Sequence, residues 1–468
     1  MRPLRWIGLM MAAVTITDAA AAQRPAERRC VLELLSADRE GGGDEPIAGS
    51  ANYYAGGNVR LRCRNQPVFL DGDSVTSIGG QFIQVITRAQ YRDEDVIIDA
   101  DTLTYLKGNE VLQARGAVRI LNKLNGSTLI GSYVDYYRAV RGVRDSAEST
   151  ALNRPTVTYR VARAAGDTID PSPYLIVADG LKGYGSNRLT GWGSVTVDRD
   201  SLAGRGDSLL YTQGDTEEVT LAGQPATLVR SGADSFSVAG RHVVLGLVGE
   251  ELRAVRALGQ GRILGGTGEI IADSAALEFE DGKLVATRAW DRTVRARIIS
   301  QGYEIFGDSV AIDTPAERLR EIRIFDQGEV VELADSTGKG PIDTTAAQPA
   351  DSADATIDNR MTGTRLTLRF QDHDSAGTVL TQLVDITAIG GATSLFSREV
   401  EREGRTSPSI NYTRADTIVV VMRTGDSTGV LEVRAFGHVD GMQLEQESLQ
   451  RRATTMPGLQ PARREDTP

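Results

Sequence analysis

One tetrad recurs along this chain and limits what it can fold into. Gly206-Asp207-Ser208-Leu209 is nearly copied by Gly72-Asp73-Ser74-Val75 and Gly307-Asp308-Ser309-Val310. Looser copies are Ala100-Asp101-Thr102-Leu103, Ala272-Asp273-Ser274-Ala275 and Ala415-Asp416-Thr417-Ile418. A catalytic nucleophile is needed once. A phrase that returns every few tens of residues is architecture, because stacked elements reuse the same turn and the same inward positions. Each copy continues as an alternation: Asp101 leads to Leu103 and Tyr105, Asp207 to Leu209 and Tyr211, Asp308 to Val310 and Ile312, Asp416 to Ile418 and Val420. Asp273 leads to Ala275, Leu277 and Phe279. Period two means a strand with one face buried and one wet. The Gly or Ala before the Asp suits a bend or bulge where a larger side chain would clash, and the Asp can accept bonds from nearby backbone amides there. Two degenerate copies keep the frame with Ser132 or Arg241 in place of the Asp. A turn tolerates that exchange; a catalytic acid does not.

A second phrase, Gly-x-Val or its kin, falls between these units: Gly116-Ala117-Val118, Gly193-Ser194-Val195, Gly261-Arg262-Ile263, Gly328-Glu329-Val330 and Gly437-His438-Val439. The chain thus alternates two strand types, each opened by a glycine-rich corner. No long helical period follows the amino-terminal segment, and Pro315–Leu319 allows one helical turn at most. The expected fold is all-β and elongated, built from irregular repeats. Its organisation reads as a signal peptide (1–22), an amino-terminal segment (23–52), repeats (53–334), a disordered insertion rich in Asp, Thr, Ala and Pro (335–360), a continuation of the repeats (361–440) and a disordered tail (441–468). An inserted loop is expected at 160–174.

The signal segment rests on Arg2 and Arg5, the short apolar run from Trp6 to Ile16, and Ala20-Ala21-Ala22 as a cleavage site. It marks an exported chain. The formal charge of −11 becomes −12 once Arg2, Arg5 and Asp18 leave with that segment. This sign argues against nucleic acid and against broad adhesion to anionic membranes. Export permits a disulfide between Cys30 and Cys63, the only cysteines; two free thiols are the alternative. The pair is too sparse for a zinc site, and no His-x-His or His-Glu-x-x-His exists, so neither metal nor cofactor is expected.

Ser208 invites comparison with Gly-Asp-Ser-Leu hydrolases, whose serine is deprotonated by a histidine held by an aspartate. That histidine typically stands in Asp-x-x-His near the carboxyl end. The residue three before His242 is Ala239, before His373 Phe370, and before His438 Ala435. A serine hydrolase is therefore the remote alternative, and the chain is not expected to be an enzyme.

The alternation of apolar-apolar-Ala/Gly-Asp with Gly-x-Val, in an exported chain, resembles the OstA-like (LptA-like) proteins of lipopolysaccharide transport. Ile98-Asp99-Ala100-Asp101-Thr102-Leu103-Thr104-Tyr105 followed by Ala114-Arg115-Gly116-Ala117-Val118-Arg119-Ile120 carries the resemblance best, and Ile270–Phe279 and Ile305–Ile312 extend it. The resemblance covers most of 53–440 with structural motifs. It implies an elongated β-jellyroll of two facing antiparallel sheets, with an apolar groove that carries the acyl chains of lipopolysaccharide. Its implied partners are that glycolipid and related jellyrolls of an inner-membrane complex and an outer-membrane translocon. The implied groove-lining residues are Val75, Leu103, Tyr105, Leu209, Tyr211, Leu277, Phe279, Val310, Ile312, Ile418 and Val420. This chain is longer than the usual bridge protein and carries the 335–360 insertion. Two other readings of the same alternation stay open: these residues form a closed core, or the chain is a β-solenoid scaffold or adhesin at the cell surface.

Overall fold

A computed structural model describes residues 30–445 apart from 45–50, 65, 141–143, 161–171, 186, 215, 233, 249–250, 267, 292, 334–358, 376–377, 403–404 and 426–428. The signal segment, the loop at 161–171, nearly all of the 335–360 insertion and the tail from 446 lie outside the described residues. Within them the fold is all-β and antiparallel, with one 3-10 turn at Pro315–Glu317. Strand order follows the sequence as one long meander. The sheet extends past both expected boundaries, to Leu32–Ser36 and Arg39–Asp44 at the start and to Asp440–Glu445 at the end.

Most long strands pass through a corner. Phe82–Arg92 pairs with Val96–Leu106 over 82–86 and again over 89–92, with a bulge between. Val96–Leu106 pairs with Val111–Asn122 in the same broken way, between Asp99 and Thr102. Elsewhere the strand is cut outright, as between Lys283–Trp290 and Ala296–Ser300. The halves fall into two ladders joined along one corner. The first ladder holds 82–86, 102–106 and 111–115; the second holds 89–92, 96–99 and 119–122. An extra residue at the corner keeps both halves correctly turned. Gly268–Glu280 buries Ile270 and Ala272 before Asp273, then Ala275, Leu277 and Phe279 after it. The parity flips at the bulge; without it the second apolar set would face water.

The two recurrent phrases are the two partners of one corner. Asp101 accepts the Ala117 amide at 3.0 Å. The preceding Gly116 has φ of 94°, and a Cβ there would run into the Asp101 carboxylate. Only glycine fits a left-handed position under so close an approach. Asp416 repeats the arrangement, accepting the His438 amide at 3.2 Å beside Gly437. Substituted copies find other partners: Asn153 donates to the Ser132 hydroxyl at 3.4 Å, and the Arg241 side chain packs against Gly259. The small residue before the Asp has its own cause. At Gly72 and Gly307 a Cβ would collide with the inward Val85 and Ile324 side chains.

The inward faces of the two ladders pack on each other in two clusters. One runs from Cys30 to Ala151, the other from Val157 to Val420. Outward neighbours stay wet: Glu278, next to buried Leu277, pairs with Arg288 at 3.0 Å.

Candidate functional site

All eleven residues named as groove-lining point inward, and all are buried. Leu103, Ile418 and Val420 are fully enclosed, and Leu209, Leu277, Val310 and Ile312 are no more than 3% exposed. Most of the interior is therefore packed. At the amino-terminal end, by contrast, Val75 and Tyr105 border a cavity of about 600 Å³. That volume lies within the about 300–1,000 Å³ typical of small-molecule sites.

The cavity arises because the first two strands are edges with little to fill the space beneath them. Leu32–Ser36 continues the second ladder and Arg39–Asp44 the first, both pairing with Ala51–Cys63. Cross-strand partners share a face, so Leu32 and Leu34 point inward with Cys63 and Leu61, while Gly42 stands opposite Tyr53. Gly42 carries no side chain to fill the space beneath it. The bed is formed by Ala55, Leu61, Val75, Ile83 and Tyr105, while Glu40 and Lys107 supply the charged lining. Leu34, Tyr53 and Tyr54 are 37%, 61% and 51% exposed, so the chamber opens to solvent through an apolar mouth. Cys30 and Cys63 are joined as a disulfide, Cα atoms 5.3 Å apart. The bond ties the chain entering the first strand to the end of Ala51–Cys63, at the cavity wall.

The long side opposite the corner is held closed by bonds between ladders. Tyr136 on the first ladder donates to Asp93 on the second at 3.1 Å, and Tyr91 donates to the same oxygen at 2.8 Å. Burial first, then the Asp93 charge, pushes both phenols far above their ordinary range. Arg138 pairs with Glu110 at 2.9 Å and also donates to Gln66, which belongs to a turn of the other ladder. Farther along, Tyr159 donates to Gln213 at 3.2 Å, and Arg230 donates to the Gly282 carbonyl at 3.1 Å. Tyr105, at the cavity, donates to Glu110. Sequence reasoning missed this seam and the cavity; the Gly41-Gly42-Gly43 run was the one local sign of the latter.

Ser208 is half-buried on the outer face, paired with Trp192 and Ala222. His242 pairs with the far side of Ala222. Two strand spacings, roughly 9–10 Å, therefore separate Ser208 from that ring. His438 is engaged with Asp416 at 3.0 Å, at the corner described above. We expect Ser208→Ala to leave the fold and any ligand binding unchanged. A serine-reactive phosphonate probe that labels the native chain and not the variant would contradict this. Among the described residues no cluster of three or more His, Cys, Asp or Glu is placed to hold a metal ion.

No family model and no curated protein matches the chain. Among solved structures it is similar to LptH, the LptA homologous periplasmic component of the lipopolysaccharide transport device from Pseudomonas aeruginosa. The identity is 16%, over 26% of this chain and 85% of that one, with a TM-score of 0.22.

Proposed function

We propose that this chain binds the acyl part of a glycolipid, lipopolysaccharide or a close relative, at its amino-terminal end and serves its passage across the periplasm towards the outer membrane. The observation that carries this reading is the apolar cavity between Leu32–Ser36, Arg39–Asp44 and the facing strands, open at an apolar mouth. Sheltering an acyl chain yields about 0.8 kcal/mol per CH₂, and a bed of Leu34, Ala55, Leu61, Val75 and Ile83 provides that shelter without chemistry. The corner grammar that resembles the OstA-like proteins supports the same reading. So do the two ends. Leu32–Ser36 and Arg39–Asp44 at one, and Gly429–Phe436 and Asp440–Glu445 at the other, are edge strands among the described residues. Unpaired edges accept a strand from another β protein, which suits hand-over between related jellyrolls.

The closed interior favours a second reading for the remainder of the body. Leu209, Leu277, Val310 and Ile418 fill it, which suits a rigid spacer or scaffold that holds the binding end at a distance. A photo-crosslinker at Leu34 or Ile83 should capture lipopolysaccharide in living cells, and one at outward Glu278 should not. An organic extract of the purified chain should contain acylated glycolipid by mass spectrometry. Silence at both cavity positions, with an extract free of lipid, leaves the scaffold.

A further inference from the structure

The outer face of the first ladder carries an aromatic and polar platform that the cavity does not use. Five neighbouring strands align in three outward rows. Tyr133, Leu152, Gly180, Trp192 and Ser208 form the first. Asp135, Thr150, Lys182, Thr190 and Leu210 form the second, and Tyr137, Glu148, Tyr184, Arg188 and Thr212 the third. Their sequence neighbours Val134, Tyr136, Ala151 and Leu181 are buried on the other face.

Three features set this surface apart. First, Trp192 lies flat on the backbone of Gly180: a Cβ at Gly180 would run into the indole. Trp192 is 41% exposed, so its outer face is presented to solvent. Second, cations gather over the rings. Lys182 Nζ stands 4.5 Å and the Arg188 guanidinium 5.1 Å from the Tyr184 ring centre, and Arg115 stacks 3.4 Å from that of Tyr133. Lys182 and Arg115 also pair with Glu148 and Asp135. Arg188 has no carboxylate within ion-pair distance among the described residues. The three rows carry no net charge, Lys182 and Arg188 standing against Asp135 and Glu148, so Arg188 is the one cation of the platform left to meet a ligand's acid. Third, the ground between the aromatics is hydroxyl-bearing, with Thr150 and Thr190 between the Trp192 and Tyr184 rows.

We propose that this face binds an acidic oligosaccharide, independently of the cavity. The apolar face of a sugar ring stacks on an exposed indole, as other apolar groups do on aromatic faces. Sugar hydroxyls suit the threonine side chains, and a carboxylate or phosphate suits Arg188 with Lys182 beside it. Trp192 and Tyr184 stand four residues apart along neighbouring strands, about 13 Å, a span that a single sugar does not bridge. A membrane surface would not be read by a flat row of threonines between rings.

The test titrates the purified full chain with tetragalacturonate, with neutral maltotetraose and with inorganic phosphate, following tryptophan emission and heat. Tetragalacturonate should quench emission and bind at least roughly tenfold more tightly than maltotetraose, with affinity falling as salt rises. Trp192→Ala and Arg188→Gln should each weaken it by roughly tenfold or more at unchanged far-ultraviolet circular dichroism. If Trp192→Ala fails to fold, Arg188→Gln and Tyr184→Leu decide alone. Equal affinity for the neutral sugar, full competition by phosphate at matching concentration, no binding of tetragalacturonate, or unaltered binding by the folded variants would each overturn the proposal. Because the readout involves no lipid, its failure is separate from that of the cavity reading.

Discussion

Leu277→Asp should abolish cooperative folding, whereas Leu34→Asp should leave the protein folded and empty. Leu277 is 2% exposed and lies between Val255 and Thr287 in the first ladder. Val255 and Thr287 are fully buried themselves. A carboxylate there has neither water nor a cation to meet, and single substitutions of this kind exceed about 4–5 kcal/mol. That is a large share of the about 5–15 kcal/mol that holds a domain. Leu34 is 37% exposed on an edge strand, and a charge there can reach solvent. The cost falls on the cavity, which loses part of its apolar wall. Urea melts and lipid retention, measured on both variants, separate the outcomes. A Leu277→Asp protein that melts like the wild type would mean the interior opens along its length, and the groove implied by the sequence would be restored.

The second large effect should come from Cys63→Ser. The disulfide closes a separation of 33 residues, and removing such a closure costs about 3–4 kcal/mol in the chain-entropy account. The loss should be local. Leu32–Ser36 has one strand neighbour, Ala51–Cys63, and its inward residues are Leu32 and Leu34. Freed of the bond, this edge should fray, and the cavity should lose one wall. Amide hydrogen exchange at 32–36 should accelerate by orders of magnitude, while 255–258 in the second core cluster stays protected. Lipid recovered from the variant should fall in parallel. Exchange at 32–36 that is unchanged, with lipid retained, would show that strand pairing alone holds the wall.

The repeat was legible because its cause is local. A corner needs a small residue where Val85 or Ile324 approaches, a carboxylate that can take an amide, and an alternation that resumes after an extra residue; these leave marks within a dozen residues of sequence. The inward direction of Leu209, Leu277 and Val310 follows from that alternation alone. What the alternation cannot encode is the distance between the two ladders, since an open groove and a packed core demand the same apolar residues in the same order. Here the closed form depends on Tyr136 reaching Asp93 and Arg138 reaching Gln66, contacts 43 and 72 residues apart in the chain. Nothing near either residue announces its partner. The platform around Trp192 was hidden for the same reason: Gly180 is an unremarkable glycine until the next strand lays an indole across it.

The pairing of corners also governs how such a chain can change its length. Side-chain corners, mostly carboxylate, and left-handed corners come in turn: Asp101 answers Gly116, Asp179 meets Gly193, Thr364 meets Gly390 and Asp416 meets Gly437. A duplication or deletion of one strand would set two corners of the same kind side by side and turn every later strand the wrong way. Two strands added together restore both the polarity and the match. Growth by couplets, each needing only its immediate neighbours, lets a body of this type lengthen without redesign of the parts already built. It also lets each couplet dock onto the last as the polypeptide emerges, with the seam contacts from Tyr136 to Asp93 and from Arg138 to Gln66 made once the strands between them are in place.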